Sequence, residues 1–222
     1  MPRGAKKNEV DATRERLLEA ASAVFADSGF RAATVRDICA KAQVNIAAVS
    51  YHFGDKLGLY TEVLKQASGV EEQMKIREAM AKCATPEDAL RVFVRGMFDK
   101  ICRDDGTSLR IKIMVQEMAN PTPALDSVVE YMIRPQYEQL CELIASVLDR
   151  RRNDTTTRLC VHSLLGQVTH YAHARAILSR LWPELHLTAE RRNDIADHIV
   201  QFTLGGLNTA KPTIRKRRTH AK

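Results

Sequence analysis

Apolar residues recur along this chain at intervals of three and four, which is the spacing of amphipathic helices. In the first strongly periodic stretch, residues 11–28, leucine, alanine, valine and phenylalanine side chains share one stripe, and Gly29 follows as a stop signal. No stretch shows the strict alternation of a β-strand. The pattern therefore predicts an all-α fold.

Two short helices follow at close spacing. Thr34 with Asp37 three residues later is a variant of the capping box and predicts a helix start. Residues 43–45 leave only a tight connection to a third helix over residues 46–53, and Gly54-Asp55 breaks the chain before a longer one. Three short helices with this connection are typical of the helix-turn-helix, whose last helix enters the major groove of DNA.

The third helix divides into two faces. Val49 and Phe53 are expected to pack inward, and small residues at its start would allow close approach to bases. The side chains left for the groove and the phosphates are those of Ala47, Ala48, Tyr51 and His52. An alternative is that Tyr51-His52-Phe53 forms an aromatic core cluster, or that the three helices are a protein-interaction module.

Three motifs carry a family resemblance: Thr34-Val35-Arg36-Asp37-Ile38, Ala42-x-Val44, and Tyr51-His52-Phe53-x-Asp55-Lys56-x-x-Leu59-Tyr60. Over about residues 13–60 they resemble the signature of the TetR family of repressors. The resemblance implies that phosphates are contacted by Thr34, Tyr51, His52 and Lys56. It implies equally that base edges are faced by Asn45, Ala47 and Ala48.

The chain departs from that signature at two positions. Gln43 stands where the family usually has glycine, so this residue must adopt a strained or left-handed backbone, or the turn has shifted. Ser50 replaces a residue that is commonly larger, which leaves the contact at that position open. Neither departure removes a predicted phosphate contact.

The second half of the chain also predicts helices. Starts are indicated at Thr85-Pro86, Thr122-Pro123, Asn153-Asp154 and Thr188; a kink is expected at Pro135, and Gly205-Gly206 is expected to close the last helix. This half resembles the C-terminal domain of CerR/CecR-like regulators. The resemblance lies in residues 114–126, Arg134-Pro135, Gly166-Gln167 and Arg175. That subgroup is thought to sense small molecules and to control efflux or related genes.

The predicted organisation is an N-terminal helix-turn-helix domain followed by a larger helical-bundle domain for ligand binding and dimerisation. The boundaries are a flexible basic arm over 1–12, the DNA-binding domain over 13–60, the helical domain over 61–207 and a disordered basic tail over 208–222. In the family, the last two long helices, here about 154–181 and 188–206, form the homodimer interface.

Candidate residues can be assigned within the helical domain. For the dimer interface they are Leu159, Ser163, Gly166, His170, His173, Ile177, Ile195, Ile199 and Phe202. For a ligand pocket between the central helices they are Phe93, Met97, Phe98, Ile101, Met114, Met118, Tyr131, Gln167 and Tyr171. For any one of the pocket residues, a place in the core is the favoured alternative. Arg110, Arg134 and Arg175 could bind an acidic group or lie paired on the surface.

Charge alone does not argue for DNA binding. The formal net charge is +7, but residues 208–222 hold six basic side chains and no acid, so the rest of the chain contributes only +1. The N-terminus lacks the apolar core of a signal peptide, and no apolar run approaches a membrane span, so a cytoplasmic protein is expected.

Other chemistries find little support. The five cysteines lie far apart, which argues against disulfides and cysteine-rich zinc sites. His162, His170 and His173 share an arc of one helix, but no carboxylate or thiol is fixed beside them, so we expect no metal and no cofactor. Phosphate loops, nucleophile elbows and paired catalytic carboxylates are missing from the sequence, which disfavours an enzyme.

The sequence thus favours a ligand-responsive repressor that a small molecule releases from a palindromic operator, with efflux or detoxification genes as possible targets. The alternative is an architectural or non-specific DNA-binding protein that depends on the basic tail.

Overall fold

The computed structural model describes residues 3–67, 69–102 and 107–210. These residues contain helices and no strand, which confirms the predicted all-α fold. The helices are α1 Arg3–Ala32, α2 Val35–Ala42, α3 Ala47–Phe53, α4 Lys56–Ala67, α5 Val70–Ala81, α6 Pro86–Cys102, α7 Thr107–Ala119, α8 Ala124–Val128, α9 Arg134–Leu148, α10 Thr155–His173, α11 Arg175–Leu181 and α12 Ala189–Ala210. The side chains of Arg3, Lys6, Lys7 and Arg110, and the tail from Lys211 on, lie outside the described residues.

The chain forms two compact units, and each combines segments that are distant in sequence. The first unit contains the described residues up to Met74 together with residues 107–136. The second contains residues 75–102 together with those from Tyr137 on. These limits do not coincide with the domain boundary predicted after residue 60, because α7 and α8 join the N-terminal helices.

The core of the first unit explains why α7 and α8 belong to it. Helix α1 packs against α2, α3, α4 and α7, and α4 packs against α7 and α8. Ile113 on α7 and Val128 on α8 are buried with the N-terminal residues. The largest buried side chains of this core are Leu17, Leu18, Phe25, Ile38, Leu59, Tyr60, Leu64 and Ile113.

The helix ends of the DNA-binding region follow local rules. The Thr34 hydroxyl accepts the Asp37 N–H at 3.1 Å and donates to the Asp37 carboxylate at 2.6 Å, which caps α2 at the predicted helix start. Gln43 ends α2 with φ 54° and ψ 46°, so of the two alternatives left by the sequence the left-handed backbone is the one present. Gly29 (φ 72°) interrupts the helical geometry of α1 near its end.

Pro135 acts through the turn that precedes it. Residues Val129–Ile133 form a π-helical turn between α8 and α9, and the Arg134 N–H reaches back to the Val129 carbonyl. A proline cannot donate to the preceding turn, and a π-turn is one of the ways in which a helix accommodates such an interruption. The predicted kink is therefore present as a change of helix type.

The second unit has its own core, in which α6 packs against α10 and α12. The last helix differs from the prediction: it continues through Gly205 and Gly206 to Ala210, because Leu207 is buried in this core. The helix predicted over 154–181 is broken at Ala174 into α10 and α11. Asp154 caps α10 by accepting the Thr156 N–H at 2.9 Å.

Candidate nucleic-acid interface

Helix α3 is fixed by one buried face and one capping residue. Val49 is buried, and Phe53 packs against the core of the first unit. At the start of the helix the Ala47 N–H donates to the Asn45 Oδ1 at 2.9 Å. These contacts set the rotation of α3 about its axis, which decides the side chains that it presents to solvent.

Tyr51 and His52 lie beside each other on the outer part of α3. Tyr51 is 75% exposed, and its ring meets the His52 ring edge to face with centroids 4.9 Å apart. Only Phe53 of this aromatic trio packs into the core, so Tyr51 is available for an external contact. Thr34 is also exposed, at the start of α2.

Lys56 has a structural role that the sequence did not reveal. Its ammonium group donates to the carbonyls of Phe30 at 2.8 Å and Ala33 at 2.9 Å, and lies 4.5 Å from the centre of the Phe30 ring. These contacts tie the start of α4 to the end of α1. Because an ammonium has three hydrogens, one remains for a phosphate.

A charged brace joins α1 to α4 on the same unit. Arg14 lies over the Phe53 ring, 5.4 Å from its centre, and forms an ion pair with Glu62 at 2.8 Å. Lys65 contacts the other oxygen of the same carboxylate at 2.7 Å. The brace holds the inner end of α3 between the two longer helices.

A buried carboxylate connects α4 with α7 and the turn before α8. Glu117 is 1% exposed; its Oε2 accepts the Tyr60 hydroxyl at 2.9 Å, and its Oε1 accepts the Thr122 N–H at 2.8 Å and hydroxyl at 3.0 Å. Burial, followed by the bond to Glu117, raises the pKa of Tyr60, so its hydroxyl stays a donor at neutral pH. Sequence periodicity carries no signal for this link, since its partners lie far apart in the chain.

The predicted base-facing residues do not share one environment. Asn45 and Ala47 are exposed, whereas Ala48 is half-buried and packs against the core of the first unit. Ile46 and Ser50, which were not in the predicted set, are exposed on the same side of α3. The difference arises because Ala48 lies next to Val49 on the inward side of this short helix.

The predicted pocket residues are divided between the two units. In the second unit, Phe93 and Phe98 are buried in the core, Met97 and Ile101 pack against it, and Gln167 and Tyr171 line a surface cavity. In the first unit, Met114 packs against the core, while Met118 and Tyr131 are exposed. The surface cavity of the second unit has a volume of about 460 Å³ and is lined by Ser163, Gly166, Gln167, His170, Tyr171, His198 and Ile199.

Most residues predicted for the dimer interface are exposed on α10, α11 and α12. Leu159 and Phe202 are 63% and 65% exposed, and Ile177 is exposed as well. The same surface includes Ser163, Gly166, His170 and His173. Ile195 and Ile199 are buried within the core of their own unit, because their side of α12 packs on α6.

Two of the three histidines of α10 contact a tyrosine. His162 Nε2 lies 3.4 Å from the Tyr137 hydroxyl, and the His170 ring contacts that of Tyr171. Among the residues that the structure describes, no group of His, Cys, Asp or Glu side chains is arranged to hold a metal ion. Within the same residues, no helix is both long and apolar enough to cross a membrane.

Two family models match the chain, one in each of two successive segments. Residues 17–63 match the model of bacterial regulatory proteins of the tetR family. Residues 86–207 match the C-terminal domain of the HTH-type transcriptional dual regulator CecR. The first match covers the helices that form the candidate interface, and the second covers most of the remaining helices.

Individual relatives agree with these models. The chain is 34% identical to the dual regulator CecR of Shigella flexneri over 165 residues, which is 70% of this chain and 73% of that protein. It is 33% identical to the repressor NicS of Pseudomonas putida over 45% of this chain and 47% of NicS. The crystal structure of AibR in complex with isovaleryl coenzyme A and operator DNA has a similar fold, with a TM-score of 0.63 and 20% sequence identity. The match covers 86% of this chain and 97% of the AibR chain.

Proposed function

The chain belongs to the TetR family of bacterial transcriptional regulators, in the CecR-like subgroup, and from this premise we propose that it is a homodimeric repressor which a small molecule releases from a palindromic operator. The relatives are regulators of transcription and not enzymes. The proposal places the protein in the cytoplasm, with efflux or detoxification genes as its targets.

The observation that carries the proposal is the exposed surface of α2 and α3. Tyr51 leaves most of its side chain in solvent, on a helix whose opposite side is buried. A side chain as large and as apolar as that of tyrosine ordinarily packs against other apolar groups. We propose that phosphates are contacted by Thr34, Tyr51, His52 and the remaining hydrogen of Lys56, and that base edges are faced by Asn45 and Ala47.

Dimerisation supplies the second part of the proposal. Two recognition helices reach successive half-sites only if a dimer holds them about one helical turn of DNA apart, or a multiple of it. The exposed residues of α10 and α12 offer such an interface. A Cβ added at Gly166, Gly205 or Gly206 would meet no atom of the same chain within 4 Å, so packing within one protomer does not require these glycines.

Release by an effector requires unequal binding to two states. A ligand that prefers the conformer with wrongly spaced recognition helices lowers the affinity for the operator by at most the ratio of its two affinities. Helix α4 is suited to transmit such a change, because Lys56 ties it to α1 and Tyr60 ties it to Glu117 on α7.

The experiment is selection of DNA duplexes from a randomised library by the full chain, followed by anisotropy titrations with the enriched sequence. We expect an inverted repeat. Tyr51→Ala should weaken binding about tenfold, because a hydrogen bond to a charged phosphate is lost, and should do so for specific and shuffled duplexes alike.

Met74→Ala is the matched control. Met74 is a large side chain that is 57% exposed, but it lies on α5 and outside the helix-turn-helix. This variant should bind as the parent does. Equal affinities of the parent and Tyr51→Ala would refute the proposed contact.

The alternative function, non-specific binding through the basic tail, predicts a different result. Deletion of residues 211–222 would then abolish DNA binding. Under the operator hypothesis the deleted protein keeps its preference for the enriched duplex, and only the salt-dependent affinity common to all sequences falls.

A further inference from the structure

Apart from Tyr51 and His52, the side chains that α3 presents outward are small and poor in hydrogen-bonding groups. Ala47 offers only a methyl group, and Ser50 a single hydroxyl. The Asn45 Oδ1 accepts the Ala47 N–H at 2.9 Å, which leaves its second lone pair and the Nδ2 donor. Reading adenine with two bonds uses both ends of the asparagine amide, so the oxygen would be shared with the helix start.

Ile46 is the large apolar side chain at this position. It is 50% exposed, whereas Val44 and Val49 on either side of it pack in or against the core of the first unit. Its exposure leaves apolar surface that any partner fitting against α3 would remove from water.

The exposed basic side chains of the first unit match DNA in charge. Arg31 near the end of α1, and Arg36 and Lys41 on α2, are exposed and form no ion pair with any side chain that the structure describes. Two acids of the same unit accept local hydrogen bonds: Asp37 from the Thr34 hydroxyl, and Asp55 from the Gly58 N–H. A polyanion is therefore favoured over an acidic or neutral surface as the partner of this region.

Within the major groove, the distinctive apolar feature is the 5-methyl group of thymine. We propose that Ile46 contacts a thymine methyl group in each half-site and that this contact is a main determinant of the base sequence that α3 selects. The inference rests on the proposed function, since it names the base chemistry read by the same surface.

The test uses the full chain and the duplex enriched by selection. Each thymine of both half-sites is replaced by uracil in turn, which removes only the 5-methyl group and keeps every hydrogen-bonding position. For the parent protein, replacing thymine by uracil at one or two symmetric positions should lower the affinity about fourfold. This factor corresponds to the loss of one buried methyl group.

Ile46→Ala should bind the thymine duplex more weakly and should no longer distinguish uracil from thymine at those positions. Ile46→Val should retain part of the distinction. Ile133→Ala is the matched control, because Ile133 is an exposed isoleucine on the π-helical turn; it should distinguish the two bases as the parent does. Thermal melting of each variant establishes that it is folded.

The results separate the two proposals. An enriched operator without thymine in its half-sites would overturn the inference. So would equal losses of affinity for the parent and Ile46→Ala when thymine is replaced by uracil. Either result would leave the proposed function standing. Failure to enrich any sequence would overturn the proposed function as well.

Discussion

At the residue scale, the turn of the helix-turn-helix contains a strained glutamine. A left-handed backbone costs about 1 kcal/mol or more for a residue with a Cβ, and Gln43 adopts φ 54°. We predict that Gln43→Gly raises the free energy of unfolding by about 0.5–1 kcal/mol, and that Gln43→Val lowers it by about 1 kcal/mol.

Urea denaturation measures both changes. Gln201→Gly is the control, because Gln201 is exposed inside α12, where glycine should cost about 0.5–1 kcal/mol. If both glycine variants were destabilised to the same extent, the turn would not be strained.

Also at the residue scale, Tyr60 tests the buried carboxylate. Tyr60→Phe removes one of the three hydrogen bonds to Glu117 while keeping the ring between Phe25 and Phe30. Leaving a buried carboxylate oxygen without a donor should cost about 1–3 kcal/mol of unfolding free energy. Tyr131→Phe, at an exposed tyrosine of the same unit, should stay within about 0.5 kcal/mol of the parent in the same assay.

At the scale of elements, the junction of α3 and α4 depends on Gly58. An added Cβ would lie 2.0 Å from the Phe53 carbonyl oxygen, and a backbone atom cannot move aside without displacing the helix. In α6, the three atoms nearest to a Cβ at Gly96 all belong to the side chain of Ile76, the closest at 2.6 Å. We predict that Gly58→Ala costs more than about 2 kcal/mol, and Gly96→Ala less, since a half-buried isoleucine can rotate.

Thermal or urea unfolding gives the order of the two losses. The reverse order, with Gly96→Ala the more damaging, would mean that the α3–α4 junction is more adaptable than its geometry indicates. In that case α4 would be a poor candidate for transmitting an effector signal to the recognition helix.

The elements also show what the sequence can predict. The capped starts at Thr34, Thr85 and Asp154 were predictable, because a cap needs only residues within one helical turn. The end predicted at Gly205-Gly206 was wrong, because burial of Leu207 in a distant core outweighs the low helix propensity of glycine.

The candidate site shows the same division. Tyr51 was predictable as exposed, because its neighbours Val49 and Phe53 take the inward positions. The ties from Lys56 to α1 and from Tyr60 to Glu117 join residues that are 23 to 57 positions apart, and no local pattern encodes them. Ile46 was not predicted as a contact residue, because the sequence alone does not distinguish an exposed apolar residue at a helix start from one that is buried in the core.

At the scale of the whole molecule, the proposed dimer makes a prediction that one protomer cannot explain. Gly166 lies on the exposed side of α10 with open space around it, so Gly166→Arg should leave the fold intact. We expect this variant to be monomeric in sedimentation velocity and to lose more than about tenfold in operator affinity, because each half-site is then bound alone.

Ala79→Arg is the control for that experiment. Ala79 is an exposed alanine on α5, so the added arginine should leave both the dimer and its operator affinity unchanged. A dimeric Gly166→Arg variant would contradict the assignment of this surface to the interface.

The most direct test of the whole account is the ratio of two affinities measured at one physiological salt concentration. The full chain is titrated into the duplex enriched by selection and into a shuffled duplex of the same composition. A sequence-reading regulator predicts that the enriched duplex binds at least about a thousandfold more tightly. Affinities within a fewfold of each other would contradict the account, since attraction to phosphates alone would then explain the binding.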